Sequence, residues 1–303
     1  MIAFRSIVCG VDFSEHSRHA IRWAAALAAL YESRLTILTA VDPLLAHAAR
    51  SRFDHDLVAD SAQTLRKFAA SALPSAWPWI PRYEVKAVAG EAPDTIRQQS
   101  MREHADLIVL GTQGLGGVRK FLLGSTTDRV LRSTKTSVLA VPLVDDGEVS
   151  WAGDRPPFAA KTILAATDFS AAANQAVAVA ADCARAHGTA LVIVHVVAPI
   201  SVPSEVRPYV GNVEEEMVLR GRTRLDQLAA SHSEGLLPEL VVTIGRPAEA
   251  IADLAKERAA GLIVLGLVGE RCDASGRPGA IAYRVLCLAH APVLVVPPQT
   301  NDV

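Results

Sequence analysis

Between Gly111 and Val130 the chain reads GTQGLGGVRKFLLGSTTDRV, in which Gly111-x2-Gly114-x9-Gly124 leads into the hydroxyl residues Ser125, Thr126 and Thr127. Glycines admit an anion close to the backbone because no Cβ stands in the way, and a helix opening near Ser125 presents N–H groups and partial positive charge. The side-chain hydroxyls add donors. This arrangement suits the holding of a phosphate; a plain N-cap at Ser125 is the competing reading, and geometry alone leaves the two open. Two familiar phosphate motifs are excluded. No GKS or GKT occurs in the chain, and the first strand is followed by CGVDFS (9–14) where a dinucleotide fingerprint would need its glycines.

The elements that must position this loop are written twice. SIVCGVDFS, starting at Ser6, returns as TILAATDFS at Thr162, and LTILTAVDP at Leu35 returns as LVIVHVVAP at Leu191, both displaced by 156 positions. LIVLG at Leu107 returns at Leu262, and SVLAVP ending at Pro142 returns as PVLVVP ending at Pro297, both displaced by 155. Such constant displacement implies two copies of one domain. Residues 1–144 form the first and 158–303 the second, with the polar, Gly- and Pro-bearing stretch 145–157 as linker.

Within each copy, short Val-, Ile- and Leu-rich runs alternate with helical spacing, the pattern of a parallel sheet covered on both faces. In the first copy strands are expected near 5–11, 34–41, 82–88, 106–110 and 137–141. Ser14 is the expected N-cap of a helix whose buried stripe is Ala20, Trp23, Ala24, Leu27 and Leu30. Val58, Ala62, Leu65 and Phe68 mark a second helix, Pro93 to His104 a third, and Ser125 to Ser133 a fourth. The fold class is therefore α/β, two tandem Rossmann-like domains with five-stranded parallel sheets. In such sheets ligands lie beyond the C-terminal strand ends, which is where the glycine loop leaves the fourth strand.

These residues resemble the universal stress protein family. Gly111, Gly114, Gly124 and Ser125 match its nucleotide-binding signature G-x2-G-x9-G-[ST], and VDFS after the first strand, the Val-bearing second strand before Pro43 and the final VLAVP match as well. The resemblance spans both repeats. It implies strand order 3-2-1-4-5, an adenine nucleotide as ligand (ATP, with or without Mg2+), and pairing of domains through the last strand. Carried over by position, Asp12 would contact ribose or base and Val41 would line the adenine pocket. Gly111, Gln113 and Gly114 would border ribose and phosphates, and Gly124, Ser125, Thr126 and Thr127 would hold the phosphate chain. Gln113 stands where the family often has His or Arg. Each role has a plainer competitor: Asp12 as the cap of its own turn, Val41 as core, and Arg119 and Lys120 as solvated loop charges rather than phosphate-steering ones.

The second loop reads GLVGERCDASGRPGAIAYRV. Gly266, Gly269 and Gly279 keep the spacing, but Ala280 and Ile281 replace Ser125 and Thr126. Glu270 and Asp273 add negative charge that repels a triphosphate unless Arg271 or Arg277 offsets it. Asp168 and Val197 are retained, so these five residues outline a degenerate second site, and one competent ATP site per chain is expected. The apolar final strands, 138–141 and 293–296, would be exposed edges unless paired. Pairing them builds the family's dimer inside one chain, with domain two as scaffold; a homodimer of whole chains is the other assembly considered.

A chain of 303 residues that is 50% hydrophobic, with formal charge −2, has the core for two domains and lacks the basic face of a nucleic-acid or acidic-membrane binder. Its apolar runs fall short of the roughly 20 residues of a membrane helix. The direct entry into a strand gives no sign of a secretory leader, so a cytoplasmic location is expected. Cys9, Cys183, Cys272 and Cys287 show no metal or disulfide spacing, and Cys9 and Cys183 are expected in the core. Asp54-His55-Asp56 is read as a solvated helix entry, His195 as a satisfied core histidine, and Trp77-Pro-Trp79 as a loop packing onto the sheet. No catalytic residue or metal ligand is assigned. The function expected is an ATP-binding stress-response or energy-sensing module with an unidentified signalling partner. The alternatives are a weak ATPase, an adenylate-forming enzyme, whose HIGH-type or SGGxDS-type loops are missing here, and a ligand-free scaffold.

Overall fold

Ser6–Gly10 (β1) is buried at every position, as a strand covered on both faces must be. From it the first copy continues through α1 (Glu15–Tyr31), β2 (Arg34–Val41), α2 (Pro43–Phe53), α3 (Leu57–Ala72), β3 (Tyr83–Ala89), α4 (Ala92–Arg102), β4 (Leu107–Gly111), α5 (Ser125–Ser133) and β5 (Ser137–Val141). The second comprises β6 (Thr162–Ala166), α6 (Ala171–His187), β7 (Leu191–Val197), α7 (Val213–His232), β8 (Glu239–Ile244), α8 (Pro247–Glu257), β9 (Ala260–Gly266), α9 (Ala280–Leu288) and β10 (Val293–Val296). This computed structural model describes residues 4–73, 82–114, 123–143, 162–199, 213–232, 234–269 and 279–298. The chain divides near residue 157 into two compact units. The expected linker, Arg119 and Lys120, Trp77 and Trp79, and Glu270, Arg271, Cys272, Asp273 and Arg277 lie outside the described residues.

In the first unit the strands stand in the order β3-β2-β1-β4-β5, with β1 parallel to β2 and β4, β2 to β3, and β4 to β5. In the second the order is β8-β7-β6-β9-β10, and β6 runs parallel to β7 and β9, β7 to β8. Both are the 3-2-1-4-5 arrangement. The connection from β1 leads to β2 on one side while β4 lies on the other, so the strand order reverses beside β1, the switch point at whose C-terminal side open α/β sheets hold their ligands.

Ser14 caps α1, its hydroxyl accepting from the Ser17 N–H at 3.2 Å. The stripe Ala20, Trp23, Ala24 and Leu27 is buried against the sheet, and Leu30 lies half-buried at its end. Ser170 and Gly188 (φ 60°) bound α6 in the same way. Cys9 and Cys183 are buried, and burial pushes the Cys9 thiol well above the usual range. Helix α2 has no counterpart among the sequence expectations and buries none of its residues. Asp54, in the left-handed region at φ 50°, ends α2, and Asp56 opens α3 by accepting from the Val58 and Ala59 N–H groups at 3.1 Å each. The Asp54-His55-Asp56 run is thus a junction of two helices, with His55 pairing with Asp60 at 2.6 Å. Among the described residues no cluster of His, Cys, Asp and Glu is arranged to hold a metal, and no helix is long and apolar enough to cross a membrane.

Candidate functional site

The turn from β1 into α1 places Phe13 at φ 64°, and its copy Phe169 at φ 66°. A left-handed backbone at such a residue costs about 1–2 kcal/mol, and it is kept at the same place twice. In domain one the ring is held edge-on against Phe68 at 5.4 Å, with the Arg18 guanidinium over Phe68 at 4.5 Å. The turn folds the Asp12 carboxylate back over the helix start. Its Oδ1 accepts from the Ser14 N–H at 3.1 Å, the Ser14 hydroxyl at 2.6 Å and the Ser17 hydroxyl at 2.9 Å. Asp12 therefore does cap its turn, through that oxygen. Oδ2 lies against Gly114, where any Cβ would overlap it.

Gly111 ends β4. A Cβ there would stand 2.7 Å from His16 Cβ and 3.0 Å from the His16 carbonyl carbon, so the missing side chain lets the first turn of α1 pack onto the strand end. Burial lowers the His16 pKa below the usual imidazole value, and the Asp12 charge offsets this only in part. Beyond Gly111, the Thr112 N–H donates to the Val141 carbonyl at 2.9 Å, and the Thr112 carbonyl accepts from the Gly124 N–H at 2.7 Å. A Cβ on Gly124 would lie 3.3 Å from Gln113 Cα. The Gln113-Gly114 backbone is thus held between the Asp12 carboxylate on one side and the start of α5 on the other.

The N-cap of α5 is Gly124, and no side chain caps it. Ser125 is the first helical residue and exposed, with Thr126 half-buried beside it, so the plain N-cap reading of Ser125 gives way. Thr127 is 3% exposed, and its hydroxyl donates to the Gly111 carbonyl at 2.7 Å. It braces the loop rather than facing solvent. Val41 is buried at the end of β2, and its carbonyl accepts from the Gly90 N–H at 2.9 Å.

Domain two repeats the frame. Asp168 Oδ1 accepts from the Ser170 N–H at 3.0 Å, a Cβ on Gly269 would come within 2.6 Å of Asp168 Oδ2, and one on Gly266 within 2.7 Å of the Ala173 nitrogen. The Gly279 N–H donates to the Leu267 carbonyl at 2.8 Å and opens α9 without a side-chain cap. Val197 is buried and its carbonyl accepts from the Gly245 N–H at 3.0 Å. The side chains differ. Ala173 stands where domain one has Ser17, and Ala280, Ile281 and Ala282 stand where it has Ser125, Thr126 and Thr127. The Ser170 hydroxyl reaches the Val268 carbonyl, at 3.4 Å. His195 is satisfied within the fold, Nδ1 lying 2.9 Å from the Thr167 carbonyl and the ring 4.5 Å from that of Phe169. Thr39 does the same in domain one, donating to the Val11 carbonyl at 2.9 Å.

Sequence reading brought Asp12, Gly114 and Gly124 to one place and missed Ser17 and the packing of His16 on Gly111. The signal was present: at the 156-residue displacement Ser17 faces Ala173 and His16 faces Ala172.

The universal stress protein family model matches the chain twice, over residues 3–142 and 159–297. A universal stress protein of Mycolicibacterium smegmatis is 27% identical over 305 residues, covering 97% of this chain and 97% of its own. One from Thermus aquaticus is 31% identical over 138 residues, 46% of this chain and 98% of its own. The crystal structure of a universal stress protein from Archaeoglobus fulgidus DSM 4304 shares the fold, with a TM-score of 0.66 at 19% identity and 99% of each chain covered. With both repeats matched to one family model, the chain belongs to the universal stress protein family, as a tandem member carrying its domain twice.

Proposed function

We propose that domain one binds an adenine nucleotide, ATP with or without Mg2+, and that the protein is a cytoplasmic stress-response or energy-sensing module whose occupancy is read by a signalling partner. The observation that carries this reading is the two-residue backbone Gln113-Gly114 held between the Asp12 carboxylate and the uncapped start of α5. A carboxylate suits a nucleoside donor, and a helix N-terminus flanked by hydroxyls suits phosphate. In this reading Asp12 meets ribose or base and Val41 the adenine. Gly111, Gln113 and Gly114 border the ligand, and Ser125 and Thr126 with the first N–H groups of α5 take the phosphates. Thr127 holds Gly111 in place. Binding rather than turnover fits Asp12, since its Oδ1 is already engaged by three donors of its own turn and a general base must be within reach of the proton it removes. Domain two, stripped of the hydroxyls, serves as scaffold, its apolar last strand pairing with that of domain one to make the family's dimer within one chain.

Calorimetric titration of the full-length protein with ATP is expected to give one site per chain, and mass spectrometry of nucleotide released on denaturation should identify an adenine nucleotide. Two equivalent sites would reject the assignment to domain one. No heat and no released nucleotide would favour the ligand-free scaffold.

A further inference from the structure

We infer that Ser17 is a positioning residue for nucleoside recognition: it holds Oδ1 of the Asp12 carboxylate so that Oδ2 is set against Gly114, in the backbone frame proposed to border the nucleoside. The inference rests on the nucleotide reading of domain one. An aspartate at an exposed turn has its side-chain torsions to spend, and ordering them before the ligand arrives removes that cost from binding. Here the ordering is done at Oδ1. Ser14 and Ser17 are three residues apart at the start of α1, hence on one face of the helix, and their hydroxyl oxygens lie 3.3 Å from each other. Both side chains are buried, at 6% and 3% exposure, under an aspartate that is itself exposed.

Ser17 has a single hydroxyl hydrogen and three acceptors in reach, Asp12 Oδ1 at 2.9 Å, the Ser14 carbonyl at 3.0 Å and the Ser14 hydroxyl oxygen at 3.3 Å. The charged oxygen is the strongest acceptor. Together with the Ser14 hydroxyl and N–H this fixes one oxygen from below, while the bare Cα of Gly114 leaves room for the other. The twin site lacks the second hydroxyl. Asp168 keeps the backbone bond from Ser170, but the Ser170 hydroxyl reaches the Val268 carbonyl, and Ala173 has no hydroxyl to give. Helix α6 forms around Ala173 all the same, so the hydroxyl of Ser17 is not required by the fold. Its use is local to Asp12.

The test measures affinity of the full-length protein, wild type and Ser17→Ala, for ATP, 2′-deoxyATP, 3′-deoxyATP and the triphosphate of purine riboside, which lacks the adenine amino group. One of these analogues removes the donor that meets Asp12, and wild type should bind it about tenfold more weakly than ATP, the usual scale for a hydrogen bond to a charged group. In Ser17→Ala, ATP should bind roughly three- to tenfold more weakly and the penalty for that analogue should shrink to about twofold. Unliganded Ser17→Ala should melt close to wild type, which a merely structural serine at this buried site would not allow. Undiminished discrimination in Ser17→Ala overturns the positioning role while leaving nucleotide binding intact, as does a wild type that binds all four triphosphates alike. Failure of wild type to bind ATP overturns the role together with the nucleotide reading beneath it.

Discussion

Helices α5 and α9 each begin at a glycine, Gly124 or Gly279, whose N–H donates to the carbonyl just beyond the preceding strand, yet their first turns read Ser-Thr-Thr and Ala-Ile-Ala. The same division runs through the turn after β1 and β6. Aspartate, left-handed phenylalanine and capping serine occur in both, whereas Ser17 and His16 face Ala173 and Ala172. The shared residues are those the backbone geometry needs, and the ones that differ carry donors or charge. A glycine signature by itself thus reports the fold of the loop, and on the proposed nucleotide reading the hydroxyls around it are what separate a binding copy from a scaffold.

The largest effect is expected at the strand-end glycines. If Gly111 and Gly266 serve packing in both copies, alanine at either must destabilise the unliganded protein. At Gly266 the new methyl would meet only backbone, the Ala173 nitrogen at 2.7 Å and the Ala172 carbonyl carbon at 2.8 Å, which cannot swing aside. Urea unfolding should show a loss of about 3 kcal/mol for Gly266→Ala and roughly 2 kcal/mol for Gly111→Ala, where the Cβ of His16 is the nearest obstacle. A Gly111→Ala protein as stable as wild type would make that glycine a ligand contact only, and the two copies would then differ in their frame as well.

Much of this frame was legible in the sequence. The β4 and β5 runs, LIVLG and SVLAV, are short and dominated by Val, Leu and Ile, and the glycine before Ser125 announces where α5 begins. Helix α2 was not legible, because Leu44, Leu45 and Phe53 are 79%, 62% and 77% exposed. A helix that buries nothing leaves no apolar stripe to count; only Asp42, which accepts from the Leu44 and Leu45 N–H groups, and Pro43 mark its start. The contact of Ser17 with Asp12 was hidden for a different reason. It follows a turn in which Phe13 adopts a left-handed backbone, uncommon outside glycine, asparagine and aspartate, so spacing within one copy does not foretell it and only the exchange of Ser17 for Ala173 between the copies marks it.

A single methyl at the matched glycines of the two loops should act on binding rather than on folding. Gly114→Ala pushes on Asp12 Oδ2 and Gly269→Ala on Asp168 Oδ2, side-chain atoms that can yield, so neither change should unfold the protein. If domain one alone holds nucleotide, Gly114→Ala should weaken ATP binding about tenfold, the scale of one misplaced charge-assisted hydrogen bond, and Gly269→Ala should leave the isotherm unchanged. Equal losses in both variants would show that the second site is occupied despite its alanines.

The smallest effect expected lies where the copies differ away from the site. In domain one Lys86 on β3 pairs with Glu103 at 2.8 Å, and Gln99 donates to the same carboxylate. Domain two has Arg258 in the place of Glu103, bound to Glu239 at 2.7 Å, and Glu239 holds the register position of Glu84 while Val241 holds that of Lys86. Burial alone would raise the Glu103 pKa, but hydrogen bonds from Lys86, Gln99 and Thr36, with the Lys86 charge, hold it below the ordinary 4.5. A carboxylate depressed in the folded state stabilises the protein above its unfolded pKa, and that contribution is lost as the pH falls through the folded value. Glu103→Gln should therefore cost about 1 kcal/mol at neutral pH, and its stability curve should converge on wild type below pH 4.5. The Arg258 pair is open to solvent, with its partners 37% and 46% exposed, and screening there removes most of the gain. Arg258→Gln should leave the unfolding midpoint where it was at neutral and acid pH alike, because two ions already hydrated on both sides gain little from meeting.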